Sequence, residues 1–347
     1  AAPPVRKKGD GSLPVPGWEG RYDWKGFVSF ENLPWEKNPG RGYVASFNND
    51  PGNVPYHLTR FYLFERAVRF EQLMAERGSG PVDFAELKSM QLDRKSVVAG
   101  RWVPIILEAC TGEPKLMPYL DLLKAWDFNI DINSRAATVF NYFYYLLMKN
   151  TLVDEVGKEA WEKGLAREYL YYVPDLVLTR IIHDDTHPLY DDKTTVADKE
   201  VREDMIRKSM AQTVAFLEQR YGGIGGKWQW GQVHQMYFTH PLGRKLSFLN
   251  LDPVATHGSH HTINSGFWTP FDPFRMTSGG VIRMMVDFTD VSRSTIISPP
   301  GQSGHFKSPH YDDLVQTWAD GDQIPMHFGS GKGLDRTLVL RPGEYKK

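Results

Sequence analysis

Apolar positions change their spacing twice along the chain. Over the first 56 residues, Gly and Pro interrupt the pattern every few positions, leaving short β-prone runs at 26–30 (Gly-Phe-Val-Ser-Phe) and 42–47 (Gly-Tyr-Val-Ala-Ser-Phe). From about Tyr56 the spacing becomes helical. Leu58, Phe61, Tyr62, Phe64, Ala67, Val68, Leu73 and Met74 form one stripe, which ends at Gly78-Ser79-Gly80-Pro81. A second helix is predicted from Asp83, as its cap, through Leu87, Met90 and Leu92. Helical spacing resumes over 118–126, from Ser134 as N-cap to Asn150, over 154–170 and over 199–220, and Gly222-Gly223-Ile224-Gly225-Gly226 then breaks it. Beyond the break, 281–288 and 294–297 read as adjacent strands and 336–340 as a final one. The predicted class is α+β, with strand- and loop-rich ends (1–56 and 245–347) around a mostly helical middle (57–221). The expected arrangement is one body whose sheet contains both ends.

Charge and composition narrow the function classes. The 347 residues carry 41 Lys plus Arg against 42 Asp plus Glu, a net charge of -1, so there is no basic field for a phosphate backbone and nucleic acid is not an expected partner. No run approaches the ~18 apolar residues that span a bilayer, and the longest candidate, 140–148, is short and holds Asn141, Tyr142, Tyr144 and Tyr145. One cysteine, Cys110, excludes an internal disulfide framework and a Cys-cluster metal site. It closes the apolar helical run 105–109 and reads as a buried structural thiol. Ala1-Ala2-Pro3-Pro4 is neither a start methionine nor a signal peptide, so the chain is expected to derive from a longer precursor or mature chain.

Candidate chemistry is sparse. His183 and His187 share an i, i+4 spacing, but Pro188 follows at once and the glutamate of a zinc-protease motif is absent. His257, His260 and His261 crowd into a Gly- and Ser-rich stretch that reads as a tight loop. Gly301-Gln302-Ser303-Gly304-His305 fails the serine-elbow pattern at His305, and the 308–313 segment after it reads as a turn leading into a capped helix. The glycines at 222–226 lack the Gly-Lys-Ser/Thr of a phosphate loop. On spacing alone, no complete catalytic constellation emerges.

Several ordered segments, taken together, resemble the penicillin acylase family of N-terminal-nucleophile amidohydrolases, in the later part of its large β subunit. Leu13-Pro14-Val15-Pro16-Gly17-Trp18 followed by Tyr22-Asp23-Trp24-Lys25-Gly26-Phe27 is similar to the family's opening segment. Asn38-Pro39, Gly42-Tyr43-Val44 and Phe47-Asn48-Asn49 continue it, and Glu65-Arg66 stands where the family opens a helix with an acidic residue and an arginine. Trp126-Asp127 and Ser134-Arg135-Ala136-Ala137 are weaker matches. More specific are Trp228-Gln229-Trp230-Gly231-Gln232-Val233-His234 and His240-Pro241-Leu242-Gly243. The most specific are Arg283-Met284-Met285-Val286-Asp287, Pro300-Gly301-Gln302-Ser303-Gly304, Ser308-Pro309-His310-Tyr311-Asp312-Asp313 and Trp318.

The resemblance implies an αββα fold and hydrolysis of an amide between an apolar acyl group and a polar amine, such as a β-lactam side chain or an N-acyl homoserine lactone. The nucleophile would be an N-terminal residue exposed by autoproteolytic processing, with its own α-amine as base. Ala1 cannot fill that role, so the implied partners are an α subunit and the nucleophile-bearing N-terminal part of the β subunit. Asn48 aligns with the family's oxyanion-hole asparagine, and Arg66 with an arginine that holds it; Asn49 is expected to support the turn. No cofactor is expected to be required. Relatives with structural calcium use a carboxylate between the Asn-Asn element and the arginine helix, and 52–64 holds no Asp or Glu. Family habit suggests the periplasm or export beyond it. The competing readings are a non-catalytic scaffold that keeps the fold and a metal hydrolase built on His183, His187 or the 257–261 histidines.

Overall fold

Two side-chain caps show how local sequence starts the helices. Asp83 accepts a hydrogen bond from the Glu86 amide through Oδ1 (2.8 Å), and the Glu86 carboxylate accepts one from the Asp83 amide (3.1 Å). This reciprocal box opens a helix at Phe84. Ser134 Oγ accepts from the Ala137 amide at 3.1 Å and starts the long central helix one residue later. The computed structural model describes residues 2–11, 13–52, 54, 56, 64–165, 172–195, 199–269 and 272–328. The expected strand at 336–340, and the beginning of the helical stripe at 57–63, lie outside them.

In chain order the helices are α1 (Glu65–Arg77), α2 (Phe84–Gln91), α3 (Val97–Ala109), α4 (Met117–Lys124), α5 (Arg135–Val156), α6 (Lys158–Ala160), α7 (Tyr172–Ile181), α8 (Arg202–Tyr221), α9 (Trp230–Val233) and α10 (Val315–Ala319). The strands are β1 (Pro4–Arg6), β2 (Trp24–Phe27), β3 (Gln235–Met236), β4 (Val254–Ala255), β5 (Gly266–Thr269), β6 (Asp272–Gly279), β7 (Arg283–Met285), β8 (Thr295–Ile297) and β9 (Ile324–Pro325). Helices and mixed sheets make the α+β class expected from the sequence. The described strands form three sheets, ordered β1-β2, β4-β3-β6-β5 and β7-β8-β9. β1 pairs antiparallel with β2 alone, and 42–47 forms no strand; its residues pack as an irregular loop on α1.

The chain folds into two units. The first comprises 1–81, 92–237 and 255–279, and its core is built around α5. That helix, about 33 Å long at 1.5 Å per residue, is buried on every side from Ala136 to Met148. A helix that is apolar all round belongs inside a protein. It packs on α8, where Tyr142 stacks on Phe216 with ring centroids 4.1 Å apart and Asn150 Nδ2 donates to Ser209 Oγ and Gln212 Oε1, both at 2.9 Å. Gly222, with φ +78°, caps α8 in a conformation that penalises a side chain.

The second unit comprises 82–91, 238–254 and 280–347. Here the strongest stretch of sequence resemblance acquires a packing explanation. Arg283 on β7 lies with its guanidinium 5.2 Å from the Trp318 ring and donates to the Trp318 carbonyl at 2.7 Å. Trp318 Nε1 in turn donates to Gly280 O at 3.1 Å. Burial pushes the Arg283 pKa down to about 10. Gly301 is required by close approach, because a Cβ there would stand 2.4 Å from His310 O. Ser303 and His305 sit in that turn, where Ser303 Oγ accepts from the His305 amide (3.2 Å). The turn leads to α10, whose N-cap, Leu314, contributes no side-chain cap.

Candidate active site

The site begins with a backbone conformation. Asn48 has φ +63°, in the left-handed region where Asn is the best tolerated residue after Gly. The neighbouring side chains hold the bend. Asn49 Oδ1 accepts from the Phe47 amide at 3.1 Å, Asn49 Nδ2 donates to Asp50 O at 3.1 Å, and Asp50 Oδ1 accepts from the Gly52 amide at 2.9 Å. Phe47 and Tyr43 pack against Phe70 of α1, with centroids 5.2 and 5.4 Å away, and Tyr43 Oη donates to the Glu71 carboxylate. The loop is thereby laid onto α1, with Asn48 itself exposed.

Arg66, in the first turn of α1, closes the arrangement. One guanidinium nitrogen, Nη2, donates to Phe47 O at 2.7 Å and to Asn48 Oδ1 at 2.9 Å. The side chain thus grips both the backbone and the carboxamide oxygen of the bend, 18 positions away. Because Oδ1 is taken, the carboxamide presents Nδ2, a two-proton donor without charge. Among the described residues this nitrogen makes no hydrogen bond. The chemical capacity of the arrangement is a fixed amide donor on an exposed residue.

Beneath Arg66 lies a buried polar layer that sequence reading missed. Glu65 is 1% exposed and accepts from Arg101 Nη1 of α3 at 3.2 Å. One turn along α1, Arg69 forks onto Asp93, with Nε–Oδ1 and Nη2–Oδ2 at 3.1 and 2.9 Å. The Asp93 carbonyl accepts from the Asn264 amide at 2.8 Å, which ties α1 to the histidine loop. No local signal in the sequence links these residues.

The histidines take several roles. His183 is exposed in a turn, and His187 Nδ1 accepts from the Leu189 amide at 3.3 Å. His257 Nδ1 accepts from the Ile132 amide at 3.2 Å. His260 and His261 are buried, as is His234, whose Nδ1 lies 3.0 Å from Phe274 O. Burial pushes His234 down to about 3 and His260 well below the ordinary imidazole range, so both are neutral. The loop that carries 257–261 is tight, as its composition suggests. A Cβ at Gly258 (φ +81°) would lie 1.8 Å from Asn264 O. Among the described residues, no group of three or more His, Cys, Asp or Glu side chains is placed to hold a metal ion.

Fold and motif order together identify the class: the penicillin amidase family model matches residues 1–332, and the chain belongs to that family. Among its relatives is an acyl-homoserine lactone acylase, QuiP, of Pseudomonas fluorescens Pf-5, 27% identical over 98% of this chain and 44% of that protein. The QuiP acylase of Pseudomonas syringae pv. tomato is 30% identical over the same shares. A penicillin G acylase of Escherichia coli is 23% identical over 91% of this chain and 39% of its own length. The chain therefore spans less than half the length of these curated relatives. A solved thermostable penicillin G acylase from Alcaligenes faecalis superposes with a TM-score of 0.59 at 17% identity, covering 99% of this chain and 65% of that one, and shows the shared fold.

Proposed function

We propose that the chain is the part of an acylase that supplies an oxyanion donor, and that it acts assembled with an α subunit and the polypeptide bearing the N-terminal nucleophile. The substrate is an amide joining an apolar acyl group to a polar amine, an N-acyl homoserine lactone or a β-lactam side chain. The observation that carries this reading is the Arg66 grip on Asn48. The guanidinium occupies Oδ1 and leaves Nδ2 as a donor whose position is fixed before substrate arrives.

In the proposed reaction, the nucleophile's oxygen attacks the amide carbon while its α-amine takes the proton. Negative charge on the former carbonyl oxygen is met by Asn48 Nδ2. Collapse of this intermediate breaks the C–N bond, and the departing amine receives the proton. Water then hydrolyses the acyl ester through a second oxyanion. An uncharged amide suits the task, since a lysine there would depress the protonation of the nearby amine. The step needs no cofactor, and any calcium would be structural. Partner association is supported by aromatic side chains near the N-terminus: Trp18, Phe30 and Trp35 are 86%, 83% and 75% exposed, large apolar groups of the sort another polypeptide covers. Export to the periplasm is consistent with the family, and no described helix is long and apolar enough to cross a membrane.

The test is hydrolysis of N-acyl homoserine lactones and penicillins by the full-length protein after processing. Release of the free amine, abolished by changing the residue at the processed N-terminus, is the expected result. A processed, folded protein that cleaves neither class would favour the non-catalytic scaffold.

A further inference from the structure

His261, Asp175 and Tyr144 come from three separate parts of the first unit and meet in its interior. Asp175 on α7 has no exposed surface, Tyr144 on α5 is 3% exposed, and His261 in the loop before β5 is 7% exposed. Tyr144 Oη donates to Asp175 Oδ1 at 2.6 Å, and His261 Nε2 donates to Asp175 Oδ2 across 86 positions of sequence. The Tyr144 ring also stands edge-on to the imidazole, with centroids 5.8 Å apart. A carboxylate this deeply buried demands compensation, and here a phenol and an imidazole N–H provide it.

The loop that carries His261 is fastened on the other side to α1, through the Asn264 amide on Asp93 O and the Asp93 carboxylate on Arg69. α1 is the helix whose first turn presents Arg66 to Asn48. The geometry points to His261 as a positioning residue: locked to Asp175 and Tyr144, it fixes the loop against α1 and so sets where Arg66 holds the Asn48 carboxamide. This rests on the acylase reading for its consequence in catalysis, but the mechanical link does not.

Electrostatics agree with that role. Burial alone would lower the imidazole pKa. The Asp175 charge and hydrogen bond, with the Glu65 charge, outweigh burial and the opposing Arg66 charge, and the pKa is raised. The groups that face His261 are Asp175 from α7, Tyr144 from α5, Glu65 and Arg66 from α1, and neutral His260 beside it. A histidine with a raised folded pKa adds stability that is complete below its unfolded value and lost as pH rises through the folded one. The charged imidazole is therefore favoured beyond its ordinary range, and its grip on the loop should weaken as pH rises through the folded pKa.

The test uses the full-length processed acylase with three replacements. His261→Gln leaves Asp175 buried without its imidazole partner and risks unfolding, so the decisive variant is the double His261→Gln/Asp175→Asn, which keeps polar partners and removes both titrating groups. Asn48→Ala serves as the reference for the functional reading. Hydrogen exchange by mass spectrometry over 45–50 and 64–70, together with kcat and KM against pH, supplies the readouts. The expected result for the folded double variant is faster exchange in both segments, kcat lowered by roughly tenfold to a hundredfold, KM within about twofold and none of the parent's fall in kcat as pH rises through the His261 pKa. Unchanged exchange in the folded double variant overturns the positioning role. If Asn48→Ala lowers kcat roughly 10²- to 10³-fold in the same experiment, the acylase reading still stands. Faster exchange in a protein whose parent shows no acylase turnover supports the positioning role and sinks the acylase reading alone.

Discussion

Replacing Asn48 by Gly and by Ala separates the backbone of the bend from the amide it presents. At φ +63° a glycine is at ease, whereas an alanine Cβ costs roughly 1 kcal/mol or more. Both changes remove the hydrogen bond that Arg66 Nη2 makes to Oδ1. Such a bond to a charged group is worth ~1.5–3 kcal/mol when buried; because Asn48 is exposed, solvent screening reduces it to about 1 kcal/mol or less. Arg66 retains Phe47 O in either variant, so the loop stays on α1. Asn48→Gly should then lie within about 1 kcal/mol of the parent in stability, and Asn48→Ala about 1 kcal/mol below the Gly variant. Activity should not follow this order. Both variants lose the same oxyanion donor, ~2.7–4 kcal/mol of transition-state stabilisation, so kcat should fall roughly 10²- to 10³-fold in each with little change in KM. Urea unfolding and steady-state amine release from the processed full-length protein give the two quantities. A Gly variant with parental kcat refutes the role of the side chain, and kcat losses that scale with stability refute the distinction between bend and donor.

Three other outcomes follow from the described structure. Burial pushes the Cys110 thiol up to about 11, so a thiol reagent at pH 8 should label the native chain negligibly and the denatured chain fully. His234 is held neutral with its pKa near 3; its folded form binds fewer protons than the unfolded chain, so its contribution is present above about 6.5 and lost as pH falls toward 3. Urea midpoints taken from pH 7 to 4 should drop, and His234→Gln should flatten that slope. Asp83→Ala breaks the capping box of α2 and should lower stability by about 1 kcal/mol, measured by urea unfolding; no change would mean that the box contributes nothing in the folded chain.

Elements whose signals are local were legible in the sequence. Asp83 and Ser134 announce helix starts, Gly78 and Gly222 announce stops, and 281–288 and 294–297 contain the antiparallel pair β7 and β8. The stripe rule failed where helices are buried on more than one face or carry a breaker. α3 holds Gly100 and Pro104 and buries Val98, Trp102, Val103 and Ile106, so its spacing gives no single stripe; only its last turn was visible. α7, which begins at Tyr172, carries the breaker Pro174 in its first turn. The site was half legible. Resemblance singled out Asn48 and Arg66, and the Asn-Asn-Asp-Pro run at 48–51 by itself suits a turn, but the shared Nη2 grip has no local signature, because it arises when the loop lands on α1. The Asp175–His261 pair left no trace at all: its members are joined only by the packing of α5, α7 and the Gly258 turn.

The account turns on where the Asn48 carboxamide points when a substrate oxygen becomes negative. A crystal structure of the processed, assembled full-length protein with a boronate or phosphonate mimic of the tetrahedral intermediate measures this directly. The predicted result is Asn48 Nδ2 at ~2.7–3.1 Å from the anionic oxygen, with Arg66 still on Oδ1. A mimic bound covalently to the nucleophile, with its oxygen held by other donors and Asn48 beyond hydrogen-bonding reach, would contradict it.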